Sequence, residues 1–245
     1  MIRPQKTKAV RQPTGKTAGH RTAGEMFGES GSATDGTGTD LFPMFLKIAG
    51  RPCLVVGAGA IAKSKIESLV RCGADVRVVA PRASEAIRQL ARTGGIVWHR
   101  RRFQKADLRG MRLVVAATSS PTLHERIFRQ AQSLGILCNA VDEPSRCDFY
   151  YPAVMRRAPL QIAVSTGGCA PALAQRLRRE LARYFAPEYG PWTEAIGRAR
   201  SKILASGISP EKRRRMIRKL SSRRAFDTFR KSGDSRGQGR NRRGR

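Results

Sequence analysis

The stretch from Cys53 to Val79 constrains the fold of this chain more than any other segment. It begins with a continuous apolar run, Cys53–Val56, which is typical of a strand buried on both faces of a sheet. A turn containing Gly57 and Gly59 follows, and then an amphipathic stretch with helical spacing. A second apolar run ends at Val79, so the order predicts two parallel strands joined by a helix. The predicted inner face of that helix consists of Ile61, Ile66, Leu69 and Val70.

The glycine turn fits the G-x-G-x-x-G/A spacing of dinucleotide-binding folds. Gly57 permits a tight turn off the strand, Gly59 lets a pyrophosphate approach the backbone, and Ala62 allows close packing of the helix on the sheet. The helix N-terminus offers free N–H groups to the phosphates. The spacing predicts cofactor contacts at Gly57, Gly59, Ala60 and Ile61. The alternative is a glycine-tight turn that binds nothing.

The acidic residue that usually binds the adenosine ribose, about twenty residues further on, is missing. Val79-Ala-Pro-Arg82 stands in its place. Backbone contacts at Val79 and Ala80 are expected to replace the acid, and Arg82 would suit a 2′-phosphate. NADP is therefore left open beside NAD.

Strand and helix patterns continue to alternate after Pro81. Further strands are predicted over 96–100, 113–117 and 136–141, with helices between them. This alternation predicts a Rossmann-like α/β fold with a doubly wound parallel sheet. Ligands bind such sheets at the carboxyl ends of the strands. That rule selects three loops, 57–60, 118–121 and 142–145, and adds Thr118 and Ser119 to the predicted cofactor contacts. Thr122–Glu125 is expected to form a capping box that opens the next helix.

The pattern changes after Asp142. Phe149–Val154 and Leu160–Val164 are expected to pair as a hairpin, which needs a helix or a second copy to cover one face. A second glycine turn, Gly167-Gly168, leads into a helix that begins at Pro171. The expected organisation is a disordered extension over 1–40, a dinucleotide-binding domain over 41–150, a dimerisation segment over 151–187, a helical domain over 188–230 and a disordered basic tail over 231–245. The apolar residues of 41–48 are expected to pack on the edge of the first domain.

Charge and cysteine usage narrow the partners and the compartment. Lys and Arg number 48 against 18 Asp and Glu, a net charge of +30, which favours polyanionic partners: nucleic acid, acidic lipid or a substrate with many carboxylates. The five cysteines form no C-x-x-C pair, and no cluster of residues has metal-ligand spacing. Neither a bilayer-spanning run nor a secretory signal is evident. These features predict a cytoplasmic protein without a resident metal.

Three motifs resemble the precorrin-2 dehydrogenase/sirohydrochlorin ferrochelatase family, the dinucleotide-binding module of sirohaem synthase. They are CLVVGAGAIA at 53–62 followed by Lys65, CNAVDEP at 138–144, and PLQIAVSTGGCAP at 159–171. The second and third are far more specific than the first. The match runs from about residue 41 to residue 229, in the order that the family shows.

The resemblance implies oxidation of precorrin-2 to sirohydrochlorin with NAD as hydride acceptor, in a homodimer. In some members the same site also inserts ferrous iron. The family's catalytic aspartate falls on Asp142, which the residues alone leave open as either a base or a loop cap before Pro144. The expected substrate contacts are Thr166, Gly167, Gly168 and Arg146.

Two other functions remain open from the residues. The basic segment Lys212–Arg215 and the Arg-Gly ending would suit a nucleic-acid-binding or scaffold protein, although few aromatic residues are interleaved with the charges. An NAD(P)-dependent oxidoreductase of another carboxylic acid is the third hypothesis.

Overall fold

The computed structural model describes residues 41–240. The expected disorder of 1–40 and of 241–245 lies outside the described residues. A five-stranded parallel sheet has the order β3-β2-β1-β4-β5, which confirms the predicted Rossmann-like α/β fold. Its strands are β1 Pro52–Val56, β2 Asp75–Val79, β3 Val97–His99, β4 Leu113–Ala116 and β5 Leu137–Ala140.

The central strand β1 shows why this sequence forms a doubly wound sheet. Cys53 and Val55 pack into the core on one face, whereas Leu54 and Val56 pack into the core on the other. All four are buried, as a strand with helices on both sides requires. The helices of this layer are α1 Ala60–Arg71, α2 Glu85–Arg92 and α3 Pro121–Gln132.

The predicted inner face of α1 is wrong at one position. Ile66 and Leu69 are buried and Val70 is partly buried, but Ile61 is 53% exposed. Ala62 takes the buried position instead, because it is the residue that lies one turn before Ile66 on the same helix face. Ile61 therefore lies on the outer side of the first turn.

The predicted hairpin exists, but its first strand begins later than expected. Strand β6 is Ala153–Arg157 and β7 is Leu160–Val164, so the antiparallel pair closes on a two-residue turn at Ala158 and Pro159. Residues 149–152 are not in this sheet, because β6 starts only where Ala153 and Met155 alternate into the buried face. Helix α4, Pro171–Tyr184, packs on the hairpin and supplies the expected cover.

Three further helices complete the described chain: α5 Tyr189–Ala205, α6 Pro210–Leu220 and α7 Arg223–Arg240. An aromatic cluster joins α5 to α7, with the rings of Tyr189 and Phe226 stacked at 4.1 Å and Trp192 5.0 Å from Phe226. Part of the expected disordered tail, 231–240, instead continues α7, since extending an existing helix costs far less than starting one.

The expected packing of residues 41–48 holds only at Ile48. Ile48 is buried, but Phe42 is 83% exposed and Phe45 68% exposed. This segment contains no helix or strand that would present its apolar residues to the sheet. Among residues 41–240, none of the helices has both the length and the apolar character needed to cross a bilayer.

Candidate active site

The loops that follow β1, β2 and β4 meet at the carboxyl edge of the sheet. The Gly57 N–H donates to the Val79 carbonyl at 3.0 Å. A Cβ built on Gly57 would lie 2.1 Å from the Ala117 carbonyl oxygen, so the turn passes directly against the end of β4. The absence of a side chain at Gly57 is therefore a condition for bringing these loops together.

The turn at Gly59 leaves open space above the start of α1. Gly59 is the N-cap residue, and no atom lies within 4 Å of a Cβ built there. The helix has no side-chain cap and no acidic residue in its first turn. These features fit a pyrophosphate, because free N–H groups and the helix dipole favour an anion at this end. Ala60 and Ile61 are exposed in the same turn.

Val79 and Ala80 lie beneath the predicted cofactor surface. Both are buried, and hydrogen bonds already engage the Val79 carbonyl and both polar backbone groups of Ala80. The Ala80 N–H donates to the His99 carbonyl at 3.2 Å, while the Ala80 carbonyl accepts from the Trp98 indole at 3.0 Å. Arg82 is exposed just beyond them. The structure thus presents Arg82, and not the two buried residues, at the surface of this loop.

The loop after β4 is capped differently from the prediction. Ser120, and not Thr122, is the N-cap of α3: its hydroxyl accepts from the Leu123 N–H at 3.3 Å, and Pro121 occupies the first helical position. Proline is favoured there because its missing N–H would be unpaired anyway. Thr118 is half-buried and Ser119 exposed in the preceding loop.

His124 connects this loop to the one that carries Asp142. Its Nε2 accepts from the Thr118 N–H at 3.2 Å, which requires a neutral ring with the proton on Nδ1. The Nδ1–H donates to a Glu143 carboxylate oxygen at 2.8 Å. Burial above all, assisted by the Arg146 guanidinium, lowers the pKa of His124 from its ordinary value of 6.5. The neutral ring therefore links Thr118 to the residue that follows Asp142.

Arg146 extends the same network. It pairs with Glu143 through Nη1 and with Glu125 through Nε at 2.5 Å. Both contacts join Arg146 to glutamates of the protein, and Arg146 does not line the Asp142 cavity described below. The network holds the loop after β5 against the start of α3.

We expect His124 to make stability depend on pH. Because its folded pKa is depressed, the unfolded chain binds more protons, and stability falls as the pH drops below about 6.5, by at most about 1.4 kcal/mol per pH unit. The free energy of unfolding in urea should fall less between about pH 6.5 and pH 5 for His124→Gln than for the wild type, because glutamine does not titrate. Equal slopes in the wild type and in His124→Gln would contradict the assignment.

Asp142 follows β5 at the same edge of the sheet. Its backbone has a φ of 64°, and its side chain is exposed. It lines a cavity of about 320 Å³ between the sheet edge, the hairpin and α4. Of the predicted substrate contacts, Thr166 and Gly168 line the same cavity, whereas Gly167 and Arg146 do not.

The second glycine turn is closed by its own hydrogen bonds. The Gly167 N–H donates to the Ser165 hydroxyl at 3.2 Å, and the Ala170 N–H donates to the Thr166 hydroxyl at 3.1 Å. Gly167 and Gly168 both have positive φ, at 61° and 88°. This conformation explains the glycine pair, because residues with a side chain rarely adopt it.

Three residues of the site did not follow from the sequence prediction: Lys65, His124 and Glu143. Lys65 lines the Asp142 cavity from α1. Its position in the first sequence motif was the available signal, whereas nothing in the local pattern of α3 distinguishes His124 from a capping-box residue. Among the side chains that the structure describes, no three from His, Cys, Asp or Glu lie together in a way that could hold a metal ion.

Fold and loop arrangement define an NAD(P)-binding α/β protein, and comparison with known families agrees. Residues 44–153 match the family described as "Putative NAD(P)-binding", and residues 157–184 match "Sirohaem biosynthesis protein central". The sirohaem synthase of Actinobacillus succinogenes is 38% identical over 179 residues, and that of Neisseria meningitidis serogroup B is 40% identical over 178. Each alignment covers 73% of this chain.

The chain belongs to the sirohaem-biosynthesis family that carries this NAD(P)-binding module. It spans only 38% and 37% of the length of those two synthases. A solved structure described as SirC, precorrin-2 dehydrogenase, has the same fold: the TM-score is 0.62 at 24% identity, covering 80% of this chain and all of that one.

Proposed function

We propose that this chain oxidises precorrin-2 to sirohydrochlorin with NAD as the acceptor. The observation that carries the proposal is the position of Asp142, which β5 delivers to a cavity at the same sheet edge as the glycine turn of a dinucleotide-binding fold. A carboxylate and a cofactor turn on one sheet edge provide the two partners that dehydrogenation needs. The carboxylate can take a proton, and a nicotinamide cofactor bound at the turn would take a hydride.

Asp142 is proposed as the base. Removal of two hydrogens from precorrin-2 releases one proton and one hydride, and the proton passes to an Asp142 carboxylate oxygen. NAD, when bound, supplies the hydride acceptor. The positive φ of Asp142 turns the backbone at the end of β5, and the Glu143–His124 hydrogen bond holds the next residue in place. The backbone turn and this hydrogen bond together orient the Asp142 carboxylate before substrate binds.

The cofactor contacts are proposed at the turn and at the neighbouring loops. Gly57 and Gly59 let the backbone approach the pyrophosphate, while Ala60 and Ile61 offer N–H groups and an apolar surface at the helix start. Thr118 and Ser119 lie on the adjoining loop. Val79 and Ala80 support this surface from below, and exposed Arg82 would decide between NAD and NADP.

The substrate contacts are proposed around the second glycine turn. Thr166 and Gly168 line the cavity and can contact the tetrapyrrole directly. Gly167 shapes the turn. Arg146 forms ion pairs with Glu125 through Nε and with Glu143 through Nη1, and neither ion pair uses its Nη2. Hydroxyl and backbone N–H groups of this kind can donate hydrogen bonds to the carboxylates of the substrate.

The direct test is incubation of the purified chain with precorrin-2 and either NAD or NADP. We expect the absorption spectrum of sirohydrochlorin to develop with NAD, together with one equivalent of reduced cofactor. A repeat with ferrous iron tests insertion of the metal as a second substrate. No spectral change with either cofactor would contradict the proposed function.

A homodimer is the proposed assembly. The strongly exposed apolar residues of the segment 41–46 would be covered in a dimer, since monomeric proteins rarely leave such surface in contact with water. We expect sedimentation equilibrium to give twice the chain mass of 27.0 kDa. The double variant Phe42→Ser, Phe45→Ser should sediment with a lower average mass, and an unchanged mass would place the interface elsewhere.

A further inference from the structure

Lys65 is a charged residue of the Asp142 cavity to which the proposed reaction gives no task. It lies on α1, the helix that begins at the glycine turn, and its side chain lines the cavity together with Asp142 and Thr166. It therefore projects from the cofactor-binding part of the fold into the space proposed for the substrate.

The ammonium group of Lys65 is held over an aromatic ring. Its Nζ lies 3.9 Å from the centroid of the Tyr151 ring, a cation–π contact. Lys65 takes part in none of the salt bridges formed among the described residues, whereas Lys63 on the same helix pairs with Glu67 at 3.7 Å. The ring fixes the position of the ammonium but accepts no conventional hydrogen bond, so its N–H donors remain available to an anion.

Half-burial makes an anion favourable at this position. Burial lowers the pKa of Lys65 from 10.5, and the Asp142 carboxylate and the Cys147 thiol act in the opposite direction. A partly desolvated ammonium gains more from a charge-assisted hydrogen bond than one in bulk water does.

In the described part of the chain, the charged side chains that line the cavity are one lysine and two acidic residues. The other charged lining residues are Asp142 and Glu143, so Lys65 is the one cationic side chain among the described residues that line the cavity. Glu143 is engaged by His124 and Arg146. A ligand carboxylate that entered here would meet Lys65 as its nearest opposite charge.

We propose that Lys65 binds a carboxylate of the tetrapyrrole and so sets the orientation of the substrate relative to Asp142. The inference rests on the proposed function, since it concerns the same cavity and the same substrate class. The Tyr151 ring holds the Lys65 ammonium in position, which reduces the conformational entropy lost when a carboxylate binds.

Measuring the binding of a tetrapyrrole that does not react separates substrate binding by Lys65 from an effect on catalysis. The probe is uroporphyrin III, an octacarboxylate tetrapyrrole, titrated against the full chain by fluorescence at a salt concentration that screens the exposed basic surface. Lys65→Met removes the charge and keeps the apolar stem, Lys65→Arg keeps the charge, and Lys63→Met is the matched control on the same helix. NADH binding is measured for each variant, and Lys65→Gln serves if Lys65→Met does not fold.

We expect Lys65→Met to weaken uroporphyrin III binding about 10-fold, as loss of a charge-assisted hydrogen bond predicts. It should raise the KM for precorrin-2 more than it lowers kcat. Lys65→Arg should retain most of the affinity, and Lys63→Met should match the wild type. NADH binding should be unchanged throughout.

Two results would overturn the inference in distinguishable ways. If wild type oxidises precorrin-2 and Lys65→Met keeps the same KM and the same uroporphyrin III affinity, Lys65 does not bind a substrate carboxylate, while the proposed function stands. If the wild type neither binds uroporphyrin III nor oxidises precorrin-2, the proposed function itself fails, and the role of Lys65 fails with it.

Discussion

Replacing Asp142 with asparagine is expected to lower the turnover of precorrin-2 by about 10²–10⁴-fold, the usual contribution of a positioned general base. Asparagine preserves the shape of the side chain but accepts a proton far less readily than a carboxylate does. The measurement is the initial rate of cofactor reduction at saturating substrate, with NADH binding followed separately by fluorescence. The binding of NADH should be unchanged.

Asparagine is the informative substitution because of the backbone at Asp142. A φ of 64° strains most side chains, whereas Asn and Asp both tolerate the left-handed region. Asp142→Ala would combine loss of the carboxylate with backbone strain, and a fall in activity could then reflect either change. Asp142→Asn changes the chemistry and leaves the conformation of the loop intact.

Asp148 provides the matched control for Asp142. Its carboxylate accepts from the Cys138 N–H and from the Gln132 amide, both at 2.8 Å, and it does not line the cavity. Asp148→Asn should therefore reduce the free energy of unfolding while kcat stays near the wild-type value. Full activity in Asp142→Asn would remove this residue from the mechanism, and equal losses in both variants would indicate a structural effect.

The order of strands and helices could be predicted from the sequence because the central strands are short apolar runs that end at turns. Cys53–Val56 and Leu113–Ala116 show this most clearly, since every residue from Cys53 to Val56 and from Leu113 to Ala116 is buried. The position of Asp142 at the carboxyl edge then followed from the parallel topology. The family and the fold are confirmed, whereas the roles of the individual site residues stay predictions.

The parts that could not be predicted depend on contacts between distant segments. The His124 ring bonds Thr118 and Glu143, and the Lys65 ammonium lies over Tyr151, eighty-six positions away along the chain. Hydrophobic spacing along one helix carries no information about such partners. The exposure of Ile61 has a local origin instead, because Ala62, and not Ile61, lies four residues before Ile66 on the buried face of α1.

Gly57→Ala is expected to destabilise the protein by at least about 3 kcal/mol, a large part of the stability of an ordinary domain. Two causes add. Gly57 has a φ of 111°, which a residue with a side chain rarely adopts, and its new Cβ would lie 2.1 Å from the Ala117 carbonyl oxygen. Because the obstructing atom belongs to the backbone of β4's exit loop, no rotamer change can relieve the contact. Urea unfolding measures the loss.

Gly59→Ala is the matched comparison, and it should separate cofactor binding from folding. Gly59 has a φ of −85°, and nothing lies within 4 Å of a Cβ built there, so stability should change by no more than about 0.5 kcal/mol. The methyl group would instead occupy the space through which a pyrophosphate approaches the backbone. We expect NADH affinity to fall about 10-fold or more, by analogy with one lost charge-assisted contact.

The two glycines are thus needed in the same turn for different reasons. Gly57 is required by the fold, because β1 must leave the sheet directly against the end of β4, and Gly59 is required only by the ligand. Wild-type stability in Gly57→Ala would mean that the loops do not approach as described. Unchanged NADH affinity in Gly59→Ala would mean that the cofactor does not lie over the start of α1, and the proposed hydride transfer beside Asp142 would lose its geometric basis.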